Sequence, residues 1–178
     1  MKIAIISDSH DNIYNIEKFL SWAEKNDIEM IIHCGDLAAP SIIKNEFGPK
    51  LKIPFHFIHG NVADREANEK IVADFPHITC HGDVGKLEIP PSNPPLVKGG
   101  GAIRIGFCHY PDLAKDMANA GGLNLVFYGH NHKPWMETMG NGTQLINPGT
   151  LGGMFNKASF AVYNTDKNNI QLILLETL

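Results

Sequence analysis

Seven side chains of types that bind divalent metal ions follow the carboxyl ends of apolar segments in this sequence. In chain order they are Asp8, His10, Asp36, Asn61, His109, His130 and His132. The apolar segments before them have the composition of strands buried on both faces, and open α/β sheets place ligand sites at the carboxyl ends of such strands. The sequence therefore predicts that these side chains meet at one edge of a sheet.

The spacing within the set also favours a shared site. Asp8 and His10 are two residues apart, as are His130 and His132. In extended backbone such pairs point to one side, so each pair is expected to hold one centre from two directions. A single pair of this kind is usually a surface or core feature, but repetition at successive strand ends favours a metal site. Glycine precedes three of the candidate ligands, which lets the backbone approach a metal or a phosphate closely.

The donor chemistry indicates which ions would bind. Mixed oxygen and imidazole donors without thiolate suit Mn, Fe, Zn, Ni or Co better than calcium, which prefers oxygen alone. The set is too large for one tetrahedral ion. It suits two ions that share a carboxylate at the ~3.5–4 Å separation of two-metal hydrolases.

The first part of the chain predicts alternating strands and helices that would position these residues. Strands are expected at 2–6, 30–33 and 54–58, because each is a short apolar run. Apolar residues recur every three or four positions from Asn15, which predicts a helix, and a weaker helical stretch runs through 40–47. This alternation favours a parallel sheet with helices packed on its faces.

The second part predicts mostly strands and turns. The expected strands are 86–89, 102–107, 123–128, 135–138, 143–146, 160–164 and 170–175, with a short helix at 113–120. A loop rich in proline and glycine, from Pro90 to Gly101, is predicted to be mobile. No linker separates these segments, so residues 1–178 are expected to form a single domain.

Composition narrows the class of protein. The formal net charge is −4 and nine histidines are present in 178 residues. No apolar run approaches the ~20 residues needed to span a bilayer, so no membrane association is expected. Cys34, Cys80 and Cys108 form no CxxC pair, which argues against a disulfide framework and favours a cytoplasmic location.

Four short blocks carry a resemblance to a known family. They are Asp8-Ser9-His10, Gly35-Asp36, Gly60-Asn61 and Gly129-His130-Asn131-His132. In type and order they resemble the signature blocks of the calcineurin-like metallophosphoesterases. The chain length and Asn147-Pro148-Gly149-Thr150 are similar to the small prokaryotic YfcE-like phosphodiesterase branch. The resemblance extends from Met1 to about Gly152.

The resemblance implies a four-layer αββα sandwich, with two mixed sheets flanked by helices, and a dinuclear centre that often holds manganese. It assigns one ion to Asp8, His10, Asp36 and His132. It assigns the other to Asp36, Asn61, His109 and His130, with Asp36 bridging. Asp36, Asn61 and His109 are the implied catalytic residues, acting through the metals. A metal-bridging hydroxide is expected to attack phosphorus in line with the leaving alcohol.

Two departures from the family pattern concern residues near these ligands. Many relatives have histidine after the block asparagine, where it helps to neutralise the leaving group, but this chain has Val62. His59 and Asp64 are the remaining candidates for a proton donor. Tyr110 follows His109 where relatives tend to have glycine. His33 and His56 lie inside apolar runs and are predicted to be core residues.

The predicted function is hydrolysis of a phosphate ester, with small phosphodiesters ahead of monoesters. Two alternatives stay open. A catalytically weak member acting as a protein-interaction scaffold should lack metal ligands, yet every ligand position is filled here. A nuclease would need a basic groove, which the net acidic charge disfavours. The sequence leaves open the native metal, the substrate and the oligomeric state, with a homodimer as one alternative.

Overall fold

The structure is a computed structural model that describes residues 1–90 and 101–178. Two β-sheets lie face to face with helices on their outer sides, which gives the four-layer αββα sandwich expected from the resemblance. The stretch 91–100, most of the loop that was predicted to be mobile, lies outside the described residues.

The first sheet contains six strands in the order β11-β10-β1-β2-β3-β4. Its strands are β1 (Lys2–Ile6), β2 (Met30–His33), β3 (Phe55–Phe57), β4 (Ile78–Cys80), β10 (Ser159–Asn164) and β11 (Asn169–Leu174). Strands β1 to β4 pair in parallel, whereas β10 pairs antiparallel with both β1 and β11. The carboxyl ends of β1, β2 and β3 therefore lie at one edge.

The second sheet contains five strands in the order β5-β6-β7-β9-β8. They are β5 (Val84–Ile89), β6 (Ile103–Cys108), β7 (Leu125–Phe127), β8 (Trp135–Thr138) and β9 (Gln144–Asn147). Strands β6, β7 and β9 are parallel to one another, and β5 and β8 flank them as antiparallel edges. The sequence predicted this set of strands with boundaries shifted by up to two residues.

The helices lie on the outer faces of the two sheets. Their segments are α1 (Ile13–Lys25), α2 (Pro40–Ile42), a π-helical turn (Ile43–Phe47), α3 (Gly48–Lys50), α4 (Arg65–Val72), α5 (Pro111–Asn119) and a 3₁₀ turn (Leu175–Thr177). Helix α1 buries Ile16, Phe19, Leu20 and Ala23, the residues whose spacing predicted it. No helix among the described residues is long and apolar enough to cross a bilayer.

Alternating side chains of β1 serve two separate cores. Ala4 and Ile6 face α1 and the other helices of the first sheet, whereas Ile3 and Ile5 face the second sheet. A third core packs α5 against the outer face of the second sheet. Because side chains in a strand alternate between faces, a continuous apolar run is what a sheet covered on both sides requires.

Helix α4 and strand β4 were not predicted from the sequence. Helix α4 has Asn68 as its only buried residue, and its apolar residues are too few for their spacing to identify it. Strand β4 spans three residues with one of them fully buried. The stretch predicted as one helix at 40–47 instead continues to residue 50 and contains a π-helical turn at Ile43–Phe47.

Candidate metal centre

The loops that follow five strands bring the candidate ligands together between the two sheets. Asp8 and His10 follow β1, Asp36 follows β2, and Asn61 follows β3. The second sheet contributes His109 after β6, and His130 and His132 after β7. The site thus lies where the carboxyl ends of parallel strands from both sheets meet, rather than at the edge of one sheet.

One group of ligand atoms is formed by Asp8, His10 and His132. The Nε2 atoms of His10 and His132 are 3.2 Å apart. His132 Nε2 is also 3.2 Å from Asp8 Oδ1. The three ligand atoms lie close enough to hold one metal ion.

A second group is formed by Asn61, His109 and His130. Asn61 Oδ1 lies 3.0 Å from His109 Nε2 and 3.0 Å from His130 Nδ1. The two ring nitrogens are 3.3 Å apart. The two histidines that follow β7 therefore belong to different groups.

Asp36 lies between the two groups. Its Oδ2 atom is 3.6 Å from His10 Nε2 in the first group and 3.5 Å from His109 Nε2 in the second. Its Oδ1 atom accepts a hydrogen bond of 3.2 Å from the Val62 N–H. One carboxylate oxygen is thereby fixed by the backbone while the other faces both groups.

Backbone carbonyls fix which ring nitrogen of two histidines faces the centre. His109 Nδ1 lies 2.9 Å from the Cys34 carbonyl oxygen, and His132 Nδ1 lies 3.0 Å from the Met154 carbonyl oxygen. A carbonyl oxygen only accepts, so each Nδ1 carries a proton, and when the ring is neutral each Nε2 presents a lone pair. Metal-binding histidines are commonly held in this way.

These separations and donor types fit metal ions. Metal–nitrogen bonds of about 2.0–2.1 Å place neighbouring ligand nitrogens ~3.0–3.4 Å apart, which matches the 3.2 and 3.3 Å separations of the two histidine pairs. Lone pairs facing one another at such distances repel unless a cation or a proton lies between them. Asp8, Asp36, His109 and His132 are buried, whereas Asn61 and His130 are exposed, so the centre is open on one side.

Charge interactions within the centre shift the pKa values of its acids and bases. Burial raises the pKa of Asp36, but its hydrogen bond and charge interaction with His109 outweigh burial and lower that pKa to about 2. Burial lowers the pKa of His109, yet Asp36 raises it overall. Burial also raises the pKa of Asp8. Asp36 is therefore the carboxylate most strongly kept in the ionised form that a metal requires.

A comparison with family models decides what kind of protein carries this centre. The model of the calcineurin-like phosphoesterase superfamily domain matches residues 1–168. The chain belongs to the calcineurin-like phosphoesterase superfamily. This superfamily consists of metal-dependent hydrolases.

Individual relatives agree with this membership. The chain is 27% identical to the phosphodiesterase MJ0936 of Methanocaldococcus jannaschii over 178 residues, covering 99% of this chain and all of that protein. A solved archaeal phosphodiesterase is similar with a TM-score of 0.81 and 26% identity, covering 98% of this chain and 99% of the other. The phosphoesterase YfcE of E. coli shares the fold with a TM-score of 0.64 and 17% identity, covering 98% and 100% of the two chains.

The phosphoesterase holds most of its candidate ligands in left-handed backbone. The φ values are 48° for Asp8, 42° for His10, 59° for Asp36, 73° for His130 and 58° for His132. The prediction of extended backbone through the two ligand pairs is therefore wrong. Left-handed residues turn the chain within each pair, which allows His130 and His132 to enter different groups. Strain of this kind clusters at functional sites.

Glycines give the ligand loops room to approach one another. A side chain on Gly60 would overlap the Asp36 carboxylate, and one on Gly129 would lie 2.6 Å from Asp8 Oδ2. Both positions precede a candidate ligand, as the sequence indicated. Their role is to let neighbouring loops pack without space between them.

Two polar residues, His33 and Asp11, support the centre in ways that the sequence did not predict. His33 Nε2 lies 2.9 Å from Ser9 Oγ, and its Nδ1 accepts a hydrogen bond of 3.2 Å from the Gly35 N–H. His33 is a buried residue, as predicted, but it also joins the loops that carry Asp8 and Asp36. Asp11 accepts hydrogen bonds from two backbone N–H groups of the loop after Asp36, at 3.0 and 2.9 Å.

The candidate proton donors are engaged in other contacts. His59 Nε2 lies 2.9 Å from a carboxylate oxygen of Glu69 on helix α4. Asp64 is the N-cap of that helix and accepts a hydrogen bond of 3.3 Å from the Ala67 N–H. Val62 is 43% exposed, so the position after Asn61 has open space around it.

Exposed aromatic rings border the open side of the centre. The Tyr110 ring lies with its centroid 4.9 Å from that of His130, and the Phe155 ring lies 5.4 Å from that of His132. Tyr110 is 42% exposed and Phe155 is 89% exposed. The rim therefore offers apolar surface to a bound ester.

Proposed function

We propose that this phosphoesterase hydrolyses small phosphodiesters with two divalent metal ions bound on either side of Asp36. The observation that carries the proposal is the position of Asp36 Oδ2, which is 3.6 Å from His10 Nε2 and 3.5 Å from His109 Nε2. A carboxylate so placed can ligate two ions at once. The first ion would take Asp8, His10 and His132, and the second Asn61, His109 and His130.

Two ions held by these residues would supply a nucleophile, by lowering the pKa of bound water, and would offset the charge of the phosphoryl oxygens. The protein's own residues orient the reaction. Cys34 and Met154 carbonyls hold His109 and His132 in one tautomer. The exposed Asn61 and His130 leave one side of the centre accessible to the ester, which favours attack in line with a leaving group directed to solvent.

The preference for diesters rests on similarity and on charge. The curated relative and the solved structure that span nearly the whole chain are each named a phosphodiesterase. A diester carries one negative charge at the phosphate, so its hydrolysis makes less demand on additional cationic residues. A net charge of −4 favours a small diester over a nucleic acid.

Three further proposals accompany this function. Manganese is the proposed native metal, with Ni, Fe, Zn or Co as alternatives, because the donors mix oxygen and imidazole. Residues 1–178 are proposed to act as one domain, since the ligands come from both sheets. The cytoplasm is the proposed location, where the free thiols of Cys34, Cys80 and Cys108 would stay reduced.

The test removes the shared carboxylate. Protein stripped with a chelator should hydrolyse bis-p-nitrophenyl phosphate only after Mn²⁺ or Ni²⁺ is restored. Asp36→Asn should lower kcat/KM by at least about 10³-fold, because a neutral amide cannot bridge two cations. Asp27→Asn is the matched control, since its side chain is 92% exposed. Full turnover by Asp36→Asn would refute the proposed function.

A further inference from the structure

A second cluster of metal-binding side chains lies behind the loop that carries Asn61. His59 Nε2 is 2.9 Å from Glu69 Oε1 and 3.4 Å from Cys80 Sγ. The three ligand atoms all lie within 4.8 Å of one another. The residues come from three elements, since His59 follows β3, Glu69 lies in α4 and Cys80 ends β4.

We propose that His59, Glu69 and Cys80 form a third metal site, distinct from the catalytic centre, that binds a zinc-like divalent cation. Thiolate, imidazole and carboxylate are ligands that zinc takes together, with bonds of about 2.3, 2.0–2.1 and 2.0–2.2 Å. Tetrahedral geometry then places sulfur and nitrogen ~3.5 Å apart and nitrogen and oxygen ~3.3 Å apart. The cluster therefore needs only small side-chain adjustments to accept an ion.

The geometry argues against a hydrogen-bonded catalytic triad. In a triad the histidine uses one ring nitrogen for the nucleophile and the other for the carboxylate. Here the same nitrogen, Nε2, faces both Cys80 and Glu69. Nδ1 of His59 is buried without a hydrogen-bond partner among the described residues. One nitrogen directed between a sulfur and a carboxylate is instead the arrangement of a metal ligand.

The third site is accessible to a cation from solvent, and its side chains can balance the charge of that cation. The His59 side chain is 1% exposed, whereas that of Glu69 is 60% exposed, so the carboxylate faces solvent and can admit the cation. On binding, the Cys80 thiol loses its proton to water, and the resulting thiolate and the Glu69 carboxylate balance the two positive charges. No redox step is involved.

A metal ion at this third site would stabilise the attachment of helix α4. Only Asn68 of the helix is buried, and its apolar attachment comes from Ile71 and Val72 at its C-terminal end, which are partly buried against the core of the first sheet. An ion held by Glu69, His59 and Cys80 would fasten the helix to β3 and β4. It would also fix the segment from His59 to Asn61, and so steady the exposed Asn61 ligand without being part of the reaction.

Cobalt provides a test, because thiolate ligation to Co²⁺ produces a sulfur-to-metal charge-transfer band in the near ultraviolet. The catalytic centre contains no cysteine among its proposed ligands, so this band reports the third site alone. The full chain, loaded with Co²⁺, should show the band, and Cys80→Ser should lose it together with one equivalent of bound metal. Cys108→Ser is the matched control, because that buried thiol donates to the Tyr110 carbonyl at 3.6 Å and is not part of the proposed cluster.

A second variant separates ligation from folding. Glu69→Gln keeps the thiol and the size of the side chain, and it should weaken the band-forming Co²⁺ affinity by at least about tenfold. Hydrolysis of bis-p-nitrophenyl phosphate by Cys80→Ser would show that this variant is folded. It would also show that the proposed function does not depend on the third site. Absence of the band in the unaltered chain, or its persistence in Cys80→Ser, would overturn the third site.

Discussion

Val62 occupies the position directly after the candidate ligand Asn61, where the family resemblance implies a histidine. Its side chain is 43% exposed, and its N–H holds Asp36 Oδ1. A different side chain can therefore be introduced there while the backbone contact to Asp36 is kept. We expect this position to affect which leaving groups the centre releases, rather than whether metal binds.

Introducing a proton donor at this position should broaden the range of esters hydrolysed. General acid catalysis contributes about 10²–10⁴-fold in enzymes that use it, so Val62→His should raise kcat at least about tenfold for a diester with an alkyl leaving group. Diesters of p-nitrophenol should gain little, because that anion leaves without protonation. Val62→Ala is the control, and equal rates in the two variants with the alkyl ester would contradict the account.

His33 couples the stability of the protein to pH. Burial lowers the pKa of His33 from 6.5 to about 3. The fold therefore favours the neutral ring, and its contribution to stability is complete above pH 6.5 and is lost progressively as the pH falls towards 3. The expected loss from this residue between pH 6.5 and 4 is on the order of 2–3 kcal/mol.

The prediction is tested by measuring the free energy of unfolding against pH in the presence of a chelator. His33→Gln should be less stable at pH 7 but should lose less stability than the unaltered protein as the pH falls from 6.5 to 4. Ile31→Val, a core change that removes no titrating group, should lower the whole curve in parallel. A parallel curve for His33→Gln would show that His33 does not carry the effect.

At the residue scale, the sequence indicated the candidate ligands better than their surroundings. Asp36 and His109 were identifiable because metal donors followed successive apolar runs. The hydrogen bonds of His33 to Ser9 and Gly35 were not, since they depend on loop conformations that a sequence pattern does not encode. The left-handed φ values of the ligands were missed for the same reason.

At the scale of elements, the turn after β9 supports the ligand loop that follows β7. Asn147 Nδ2 donates to the Gly129 carbonyl at 3.0 Å and to Asn131 Oδ1 at 2.8 Å. Its Oδ1 accepts from the Gly149 N–H at 2.8 Å. Further along the turn, Thr150 Oγ1 donates to the Asp8 carbonyl at 2.9 Å. One turn thus connects the two loops that carry Asp8 and His130.

Removing the central amide of this turn should weaken metal binding as well as the fold. Asn147→Ala leaves buried groups without partners and should cost about 1–3 kcal/mol of stability, and should lower Mn²⁺ affinity about 10–100-fold. Asn124→Ala is the matched control, because Asn124 binds the Arg104 N–H at the opposite end of β7. The variants are compared by denaturant unfolding and by metal titration, and unchanged Mn²⁺ affinity in Asn147→Ala would contradict this role.

Burial alone does not explain which elements were predicted, since the bounds of the mostly exposed β8 were also predicted correctly. The bounds of β1 and β2 were predicted correctly, because their residues are apolar and almost wholly buried. Helix α4 was missed because few of its residues are apolar, although Ile71 and Val72 at its end pack against the core. The π-helical turn at Ile43–Phe47 was missed because its apolar spacing resembles that of an ordinary helix.

At the scale of the whole molecule, the candidate site forms where the carboxyl ends of parallel strands from the two sheets lie close together. Strands β1, β2 and β3 of the first sheet and β6 and β7 of the second supply the ligand loops. The order of apolar runs indicated parallel strands but not their division into two sheets. That division came from the resemblance of the ligand blocks to a family, because periodicity describes the faces of a strand and not its neighbours.

The arrangement of both sheets around Asp36 is tested most directly by anomalous diffraction from crystals grown with Mn²⁺. The account predicts two manganese peaks ~3.5–4 Å apart, with the Asp36 carboxylate between them and the two histidine groups on either side. A single peak at this centre, or a pair of ions that do not share Asp36, would contradict it.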